Sequence, residues 1–181
     1  FNLENVGKSA SRFDFAKLEN LNGIYIRDAN NKYLTDLICP LIEEKIGKSG
    51  TTDGRNLIEK SMNGLKDRAK SVISLADSAA FLIAERPLSM DEKAEKLLND
   101  DSKQVLQRLA SRLEVLSEWN IDQIEAAVKE AAESEELKLG KIAQPLRAAL
   151  TGTTVSPGIF DVLEVLGKEE SIGRIKDVNK T

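Results

Sequence analysis

Residues 141–169 read KIAQPLRAALTGTTVSPGIFDVLEVLGKE, and this stretch sets the expectations for the fold around it. Proline is favoured at the first position of a helix, where its missing N–H would be unpaired in any case. We therefore expect a short helix that begins at Pro145, with Gln144 at its cap, and runs to about Leu150. Gly152 then suits the residue that ends it, because glycine tolerates left-handed backbone angles.

The second half of the stretch repeats this pattern. Ser156 is a favoured cap residue, Pro157 occupies the first helical position, and Gly167 ends the run. The linker between the two runs, TGTTV, is short and rich in hydroxyl groups. The sequence thus predicts two short helices that meet at an angle, with the N-terminus of the second exposed near the end of the first.

Arg147 lies two residues after the first proline and is predicted to be exposed. A helix N-terminus offers unpaired N–H donors and a positive partial charge, and a guanidinium beside it suits base edges or phosphates. The structural alternative is a simple helical corner in which Arg147 pairs with an acidic neighbour. Spacing alone leaves both interpretations open and favours the corner.

Composition and periodicity predict an all-α protein. The chain has 181 residues, of which 41% are hydrophobic, 31% charged and only 4% aromatic. The segment ERPLSMDE (85–92) contains a helix-stopping proline, and Ser89 with Glu92 fits a capping box. We expect two consecutive helical bundles, a first subdomain over 1–86 and a second over 87–181.

Apolar residues recur at three- and four-residue steps along most of the chain. Asp14, Asp101 with Gln104, and Asn120 are the expected helix starts, and Asn63–Gly64 is expected to break or bend a helix. The first few residues are expected to be non-helical. The predicted stripes in the first half are Phe15, Leu18, Leu21, Tyr25; Tyr33, Leu34, Leu37, Ile38, Leu41, Ile42; and Leu57 through Ile83.

The residue inventory argues against a stand-alone enzyme. Histidine is absent, which removes the commonest general base and metal ligand, and no metal site is expected. Cys39 is the one cysteine and reads as a buried small apolar residue. GKSGTTDG (47–54) lacks the spacing of a phosphate-binding loop and is expected to connect helices. Trp119 is expected to pack at a helix junction.

No apolar run is long enough for a membrane span, and the N-terminus does not resemble a signal peptide, so a cytoplasmic location is expected. The net charge of −4 is uneven along the chain: residues 89–181 hold 13 Lys and Arg against 18 Asp and Glu. Much of the acid lies in 114–136. The remainder is mildly basic, which leaves a nucleic-acid partner open.

Three segments resemble bacterial glutamyl-tRNA synthetases. QPLRAALTGTTVSPGIFDVLEVLG (144–167) is similar to their C-terminal anticodon-binding region, and GKSASRFDFAKLENLNGIYIR (7–27) is similar to the segment that follows their catalytic signature loop. LKDRAKSVISLADSAAFLI (65–83) resembles the helix between these two. The resemblance spans nearly the whole chain in order. It implies a fragment of an enzyme that activates glutamate with ATP and Mg²⁺ and transfers it to tRNA. The catalytic signatures of that family are not found here, so the chain is expected to bind tRNA and to catalyse nothing.

The resemblance also implies site residues. In this family the arginine of PLRAAL contacts the anticodon loop, and the start of the following helix lines the anticodon pocket. An arginine on the mid-chain helix helps to read the third anticodon base. The implied positions are Arg147, Arg68, Ser156, Pro157, Gly158 and Ile159. The expected partner is tRNA-Glu, with tRNA-Gln left open, and no DNA or membrane; a monomer is expected. The competing hypothesis is a helical protein–protein scaffold without nucleic acid.

Overall fold

The computed structural model of the chain describes residues 14–47 and 51–180. The non-helical N-terminus predicted from the sequence lies outside these residues, as do the first part of segment 7–27 and residues 48–50 of the predicted loop 47–54.

Ten α-helices and one 3₁₀ turn make up the described chain, and it contains no strand, which confirms the all-α class. In chain order they are α1 Phe15–Asp28, α2 Asn31–Ile46, α3 Thr52–Lys66, α4 Val72–Ala79, the 3₁₀ turn Ala80–Leu82, α5 Glu92–Leu97, α6 Asp100–Glu114, α7 Ile121–Ser134, α8 Leu139–Thr151, α9 Ile159–Leu166 and α10 Lys168–Asp177.

The helices pack in two sets that share one continuous apolar core. Helix α2 packs on α3 and α4, while α6 packs on α7, α8 and α10. Contacts of α3 with α9, and of the 3₁₀ turn with α8, join the two sets. The arrangement agrees with two consecutive helical groups, and the division at residue 86 stays a prediction. In the described chain no helix is both long and apolar enough to cross a membrane.

Side-chain caps fix several helix starts. Asp14 and Asn120 cap α1 and α7 as predicted, each accepting a hydrogen bond from the backbone N–H three residues on. Two other predicted starts are wrong. Asp91, not Ser89, caps α5, and Asn99, not Asp101 or Gln104, caps α6. In both cases a carboxylate or amide oxygen stands where it can accept from the third N–H, at 2.7 and 2.9 Å.

A helix break at Asn63–Gly64, one of the two predicted alternatives, is also wrong, because both residues lie inside α3 and the break comes at residues 67–71. A Cβ added to Gly64 would lie only 3.1 Å from Cβ of Pro157. The glycine therefore serves close packing of α3 against the segment before α9, and does not end the helix.

The helices of the quoted stretch begin elsewhere than predicted. Helix α8 starts six residues before Pro145, so the proline lies inside it, and Gln144 is not its cap. Burial of Ile142 and Leu146, four residues apart on one face, explains the longer helix. Helix α9 starts at Ile159 and has no side-chain cap, so Ser156 is not its cap residue and Pro157 is not its first residue.

The predicted stripe of α1 is exposed, while Gly23 and Ile26 are buried. A Cβ on Gly23 would lie 3.4 Å from the carbonyl oxygen of Ala69, so the small residue selects which face of α1 meets its neighbours. In α2 the residues Leu34, Ile38 and Ile42 are buried as predicted, whereas Tyr33, Leu37 and Leu41 are exposed.

Two predicted packing roles are confirmed. Cys39 is buried, and burial raises the pKa of its thiol, as expected for a small apolar residue. The indole N–H of Trp119 donates to the carbonyl oxygen of Leu163 at 2.9 Å, and its ring packs against the core. Trp119 thereby joins the start of α7 to α9.

Gly152 and Gly167 end α8 and α9 as predicted, with φ of 72° and 78°. At Gly152 a Cβ would overlap the carbonyl oxygen of Ser89, and the N–H of Asp91 donates to the Gly152 carbonyl at 2.9 Å. The connection before α5 thus rests directly on the end of α8. Gly152 needs both its positive φ and its missing side chain.

We expect Gly152→Ala to lower the free energy of unfolding by at least about 2 kcal/mol, because a left-handed alanine costs roughly 1–2 kcal/mol and the clash with Ser89 adds to it. The matched control is Gly47→Ala. Gly47 has φ of 70°, and a Cβ added there would have no atom of a packed neighbour within 4 Å among the described residues, so the variant should lose only the roughly 1–2 kcal/mol of the left-handed backbone. Urea unfolding followed by circular dichroism measures both; equal losses would contradict the role of Ser89.

Candidate nucleic-acid interface

The site is built around residues 152–158, which connect α8 to α9. Hydrogen bonds from threonine hydroxyl groups fix the backbone at the start of this connection. The Thr151 hydroxyl donates to the carbonyl oxygen of Arg147 at 2.9 Å, and that of Thr153 donates to the carbonyl oxygen of Val155 at 2.8 Å. Both threonines come from the hydroxyl-rich linker seen in the sequence, and they fold the backbone back toward α8.

Arg147 points into this connection from α8. Its Nη1 atom donates to the carbonyl oxygen of Ser156 at 3.0 Å and to that of Pro157 at 2.8 Å. The same nitrogen also donates to the Ser156 hydroxyl, which in turn donates to the Pro157 carbonyl at 2.9 Å. Arg147 is half-buried, so the exposure predicted for it is wrong. Its partners are carbonyl oxygens and a hydroxyl group, and not the acidic neighbour of the alternative interpretation.

Arg68 reaches the same point from the segment after α3. Its Nη1 atom donates to the Ser156 carbonyl oxygen at 3.3 Å, so two guanidinium groups share one acceptor. In the part of the chain that the structure describes, neither arginine forms an ion pair with a carboxylate. Two positive charges therefore meet at the connection without a compensating negative group.

The electrostatics reflect this arrangement. Burial lowers the pKa of the Arg147 guanidinium below its ordinary value, and the positive charge of Arg68 lowers this pKa further. Arginine remains protonated in proteins even so. Both groups thus keep their charge, and their repulsion is relieved when a negative group or an additional acceptor comes close.

The structure brings the predicted site residues together, but their solvent exposure differs. Ser156, Pro157 and Ile159 are buried, whereas Arg68 and Gly158 are exposed. Ile159 shows only 6% of its surface, so it offers little apolar area to a ligand. Their roles in binding stay predictions.

Sequence reasoning did not single out Val155. Its side chain is 65% exposed and lies between the two threonine turns and Ser156. Of the residues in the connection, it is the one that presents a large apolar surface. Its position inside the polar linker TGTTVSPG could have indicated this role, because an apolar residue in such a linker is either buried or available to contact a ligand.

Arg174, on α10, supports the site from behind and was also missed. Its side chain is 1% exposed, and its Nη1 atom donates to the carbonyl oxygen of Leu150 at 2.6 Å. Its Nε atom donates to a carboxylate oxygen of Glu170 at 2.7 Å. Leu150 lies in the last turn of α8, where carbonyl groups lack helical partners, so Arg174 anchors the end of α8 just before the connection.

The chain belongs to the anticodon-binding domain family. A family model described as "Anticodon binding domain" matches residues 29–179, which is most of the chain. The match includes α2 to α10 and all six predicted site residues.

Individual relatives agree with this membership. The chain is 52% identical over 177 residues to "Glutamate--tRNA ligase 2" of Parvibaculum lavamentivorans, covering 98% of this chain and 36% of that protein. It is 51% identical to "Glutamate--tRNA ligase 2" of Paramagnetospirillum magneticum, covering 98% of this chain and 37% of that one. The chain thus spans little more than a third of the length of these curated relatives.

A solved structure shows the same fold. A crystal structure of a glutamate tRNA ligase from Elizabethkingia meningosepticum, in complex with its amino acid, superposes with a TM-score of 0.78 at 26% identity. The superposition covers 100% of this chain and 35% of that one. The resemblance stated from the sequence motifs is therefore confirmed.

We expect Arg174→Met to lower the free energy of unfolding by about 2–4 kcal/mol, because it leaves the buried Leu150 carbonyl without its donor and Glu170 with only its longer ion pair, to Arg86 at 3.7 Å. Lys96→Met is the control. Lys96 and Glu92 form an ion pair in which both side chains are at least 71% exposed, and removing it should cost about 0.5 kcal/mol or less. Urea unfolding measures both variants, and similar losses would refute the anchoring role.

Proposed function

We propose that this chain recognises the anticodon loop of tRNA-Glu as part of a glutamate–tRNA ligase. The observation that carries the proposal is the convergence of Arg68 and Arg147 on the Ser156 carbonyl oxygen without a carboxylate partner in the described chain. Two unneutralised guanidinium groups beside an exposed backbone form a surface for an anionic, hydrogen-bonding ligand. Membership of the anticodon-binding domain family supports RNA as that ligand.

The chemistry of RNA loops supports the same conclusion. Proteins read RNA sequence mainly from unstacked loop bases, through hydrogen bonds to the base edges and through stacking or apolar contact. In the proposed site Arg68 supplies an exposed guanidinium, Gly158 an exposed backbone, and Val155 an apolar surface. The six residues implied by the resemblance thus form the proposed site, with Val155 added to them.

The proposal extends to the whole protein. The two relatives named above are called glutamate–tRNA ligases, so we propose that the complete protein attaches glutamate to tRNA with ATP and Mg²⁺, in the cytoplasm and as a monomer. The described residues contain no group of three or more side chains suited to hold a metal ion. The alternative, a scaffold without nucleic acid, is not favoured by the family match.

We expect the purified chain to bind tRNA-Glu with an affinity that falls steeply with salt. Each neutralised phosphate should contribute a slope of roughly −0.7 to −0.9 to log K against log salt concentration. Filter binding between low and moderate salt measures the slope, with a transcript whose anticodon loop is replaced as the RNA control. Lys129→Gln, on α7 in the acidic segment, is the protein control and should bind like wild type. Equal affinity for both transcripts would contradict anticodon recognition.

Arg68 is proposed to read the third anticodon base, which differs between tRNA-Glu and tRNA-Gln. Arg68→Gln keeps hydrogen-bond donors but removes the charge and the planar fork. We expect the preference for tRNA-Glu over tRNA-Gln to shrink more than total affinity does, since a good bidentate base contact contributes about 1–3 kcal/mol of discrimination. Titration of both tRNAs measures this. If both weaken equally, Arg68 contacts only phosphate.

A further inference from the structure

An open cleft of about 1210 Å³ lies between the first helical set, α2 to α4, and the second, α6 to α10. Lys45 and Leu57 line its first side, and Val155 and Leu166 line its second. The sets meet where α3 packs on α9, and the chain passes from one to the other through the 3₁₀ turn and residues 83–91. Two bodies that meet along one edge can rotate about it, so the width of the cleft depends on how this linker is held.

Arg86 fastens the linker to α10 of the second set. Its Nε atom lies 3.0 Å from a carboxylate oxygen of Asp177, and its Nη1 atom lies 3.7 Å from one of Glu170. The Asp177 side chain is only 13% exposed, so solvent screens this ion pair less than a surface pair.

The attachment lies close to the first set. The buried Leu82 ends the 3₁₀ turn that follows α4, and it precedes Arg86 by four residues. Four residues span at most about 14 Å when fully extended. Holding Arg86 on α10 therefore limits how far the end of the first set can move away from the second.

Gly173 provides the place where this guanidinium lies. It is part of α10, where glycine is less favourable than alanine. A Cβ added to Gly173 would overlap the Nη1 and Cζ atoms of Arg86, and the three atoms nearest to that Cβ all belong to Arg86. An alanine there would displace the end of a flexible side chain, so it would remove the contact without altering Arg86 itself.

From this geometry we infer that Arg86 is a positioning residue, whose guanidinium over Gly173 holds the two helical sets in the orientation that binds RNA. The effect on RNA rests on the proposed function, in which Arg68 follows a helix of the first set and residues 155–158 belong to the second. Without the contact the sets sample a wider range of orientations, and RNA has to order them when it binds.

Arg86→Ala and Gly173→Ala test the inference from the two sides of one contact. Arg86→Ala removes the guanidinium, and each carboxylate keeps another basic partner. Gly173→Ala displaces the same guanidinium and keeps every charge. Gly140→Ala is the matched control, because a Cβ added to this glycine of α8 would have no atom of a packed neighbour within 4 Å among the described residues.

Backbone residual dipolar couplings of the free chain, measured by NMR, report the relative orientation of the two sets. For wild type and Gly140→Ala we expect one alignment tensor to fit the couplings of both sets. For Arg86→Ala and Gly173→Ala we expect two tensors of different magnitude, while the couplings within each set still fit unchanged helices. A purely structural role would instead degrade the fit within the second set, so this measurement separates the two roles.

Binding of tRNA-Glu supplies the second measurement. We expect Arg86→Ala and Gly173→Ala each to bind about threefold to tenfold more weakly than wild type, because RNA must order the two sets. Gly173→Ala should keep the wild-type salt slope, since no charge is lost. The double variant should bind like Arg86→Ala alone, because both changes remove the same contact. In the Arg86→Ala background, Gly173→Ala should also raise the urea midpoint, since alanine favours a helix interior.

The outcomes separate the inference from the proposed function. If wild type binds tRNA-Glu no better than the transcript with a replaced anticodon loop, the proposed function is wrong, and the couplings alone decide whether Arg86 orients the sets. If Arg86→Ala binds more weakly while Gly173→Ala keeps one tensor and wild-type affinity, Arg86 contacts RNA itself and the inference is wrong.

Three further results would overturn the inference. They are a single tensor in both variants, two tensors with wild-type affinity for tRNA-Glu, and losses of affinity that add in the double variant. Gly173→Ala carries the first two of these tests by itself should Arg86→Ala not fold, because it changes one methyl group in a helix and no ion-pair partner.

Discussion

The carbonyl oxygen of Ser156 is the point on which the candidate site depends. It accepts from two guanidinium groups that reach it from separate helical sets, Arg68 from beyond α3 and Arg147 from α8. This shared acceptor holds like charges together, which requires α3 to approach the connection closely. Gly64 permits that approach, because a Cβ there would press on Pro157. The two helical sets are thus joined where the ligand is proposed to bind.

The buried Arg174 and the half-buried Arg147 have opposite electrostatic environments. Arg174 is deeply buried, but Glu170 lies 2.7 Å from its Nε atom and supplies the compensating charge. Arg147 has no such partner among the described residues and lies beside a second positive group. A compensated guanidinium stabilises a fold, whereas an uncompensated pair at the surface creates an attraction for anions. This contrast explains how a chain of net charge −4 can offer a surface suited to RNA.

The end of α8 connects stability to the proposed function. Gly152 allows the chain to turn under Ser89, Arg174 holds the Leu150 carbonyl, and Thr151 bonds back to Arg147. These contacts fix where the connection begins, and the Arg147 hydrogen bonds fix where it ends. Residues 152–158 are consequently shaped before any ligand arrives, which is the condition for selective rather than adaptive recognition.

The sequence by itself determined the helical class, the ends of α8 and α9 at Gly152 and Gly167, the caps Asp14 and Asn120, and the set of residues that meet at the connection. The helix ends and caps depend on short-range chemistry, whereas the set of residues at the connection followed from the motif resemblance. The tertiary structure alone decided that α8 extends past Pro145, that Ser156 is buried under Arg147 instead of capping α9, and that the apolar stripe of α1 faces outward. Each of these depends on which neighbour covers a face or supplies a donor, and a pattern of residues along the chain does not show which neighbour that is.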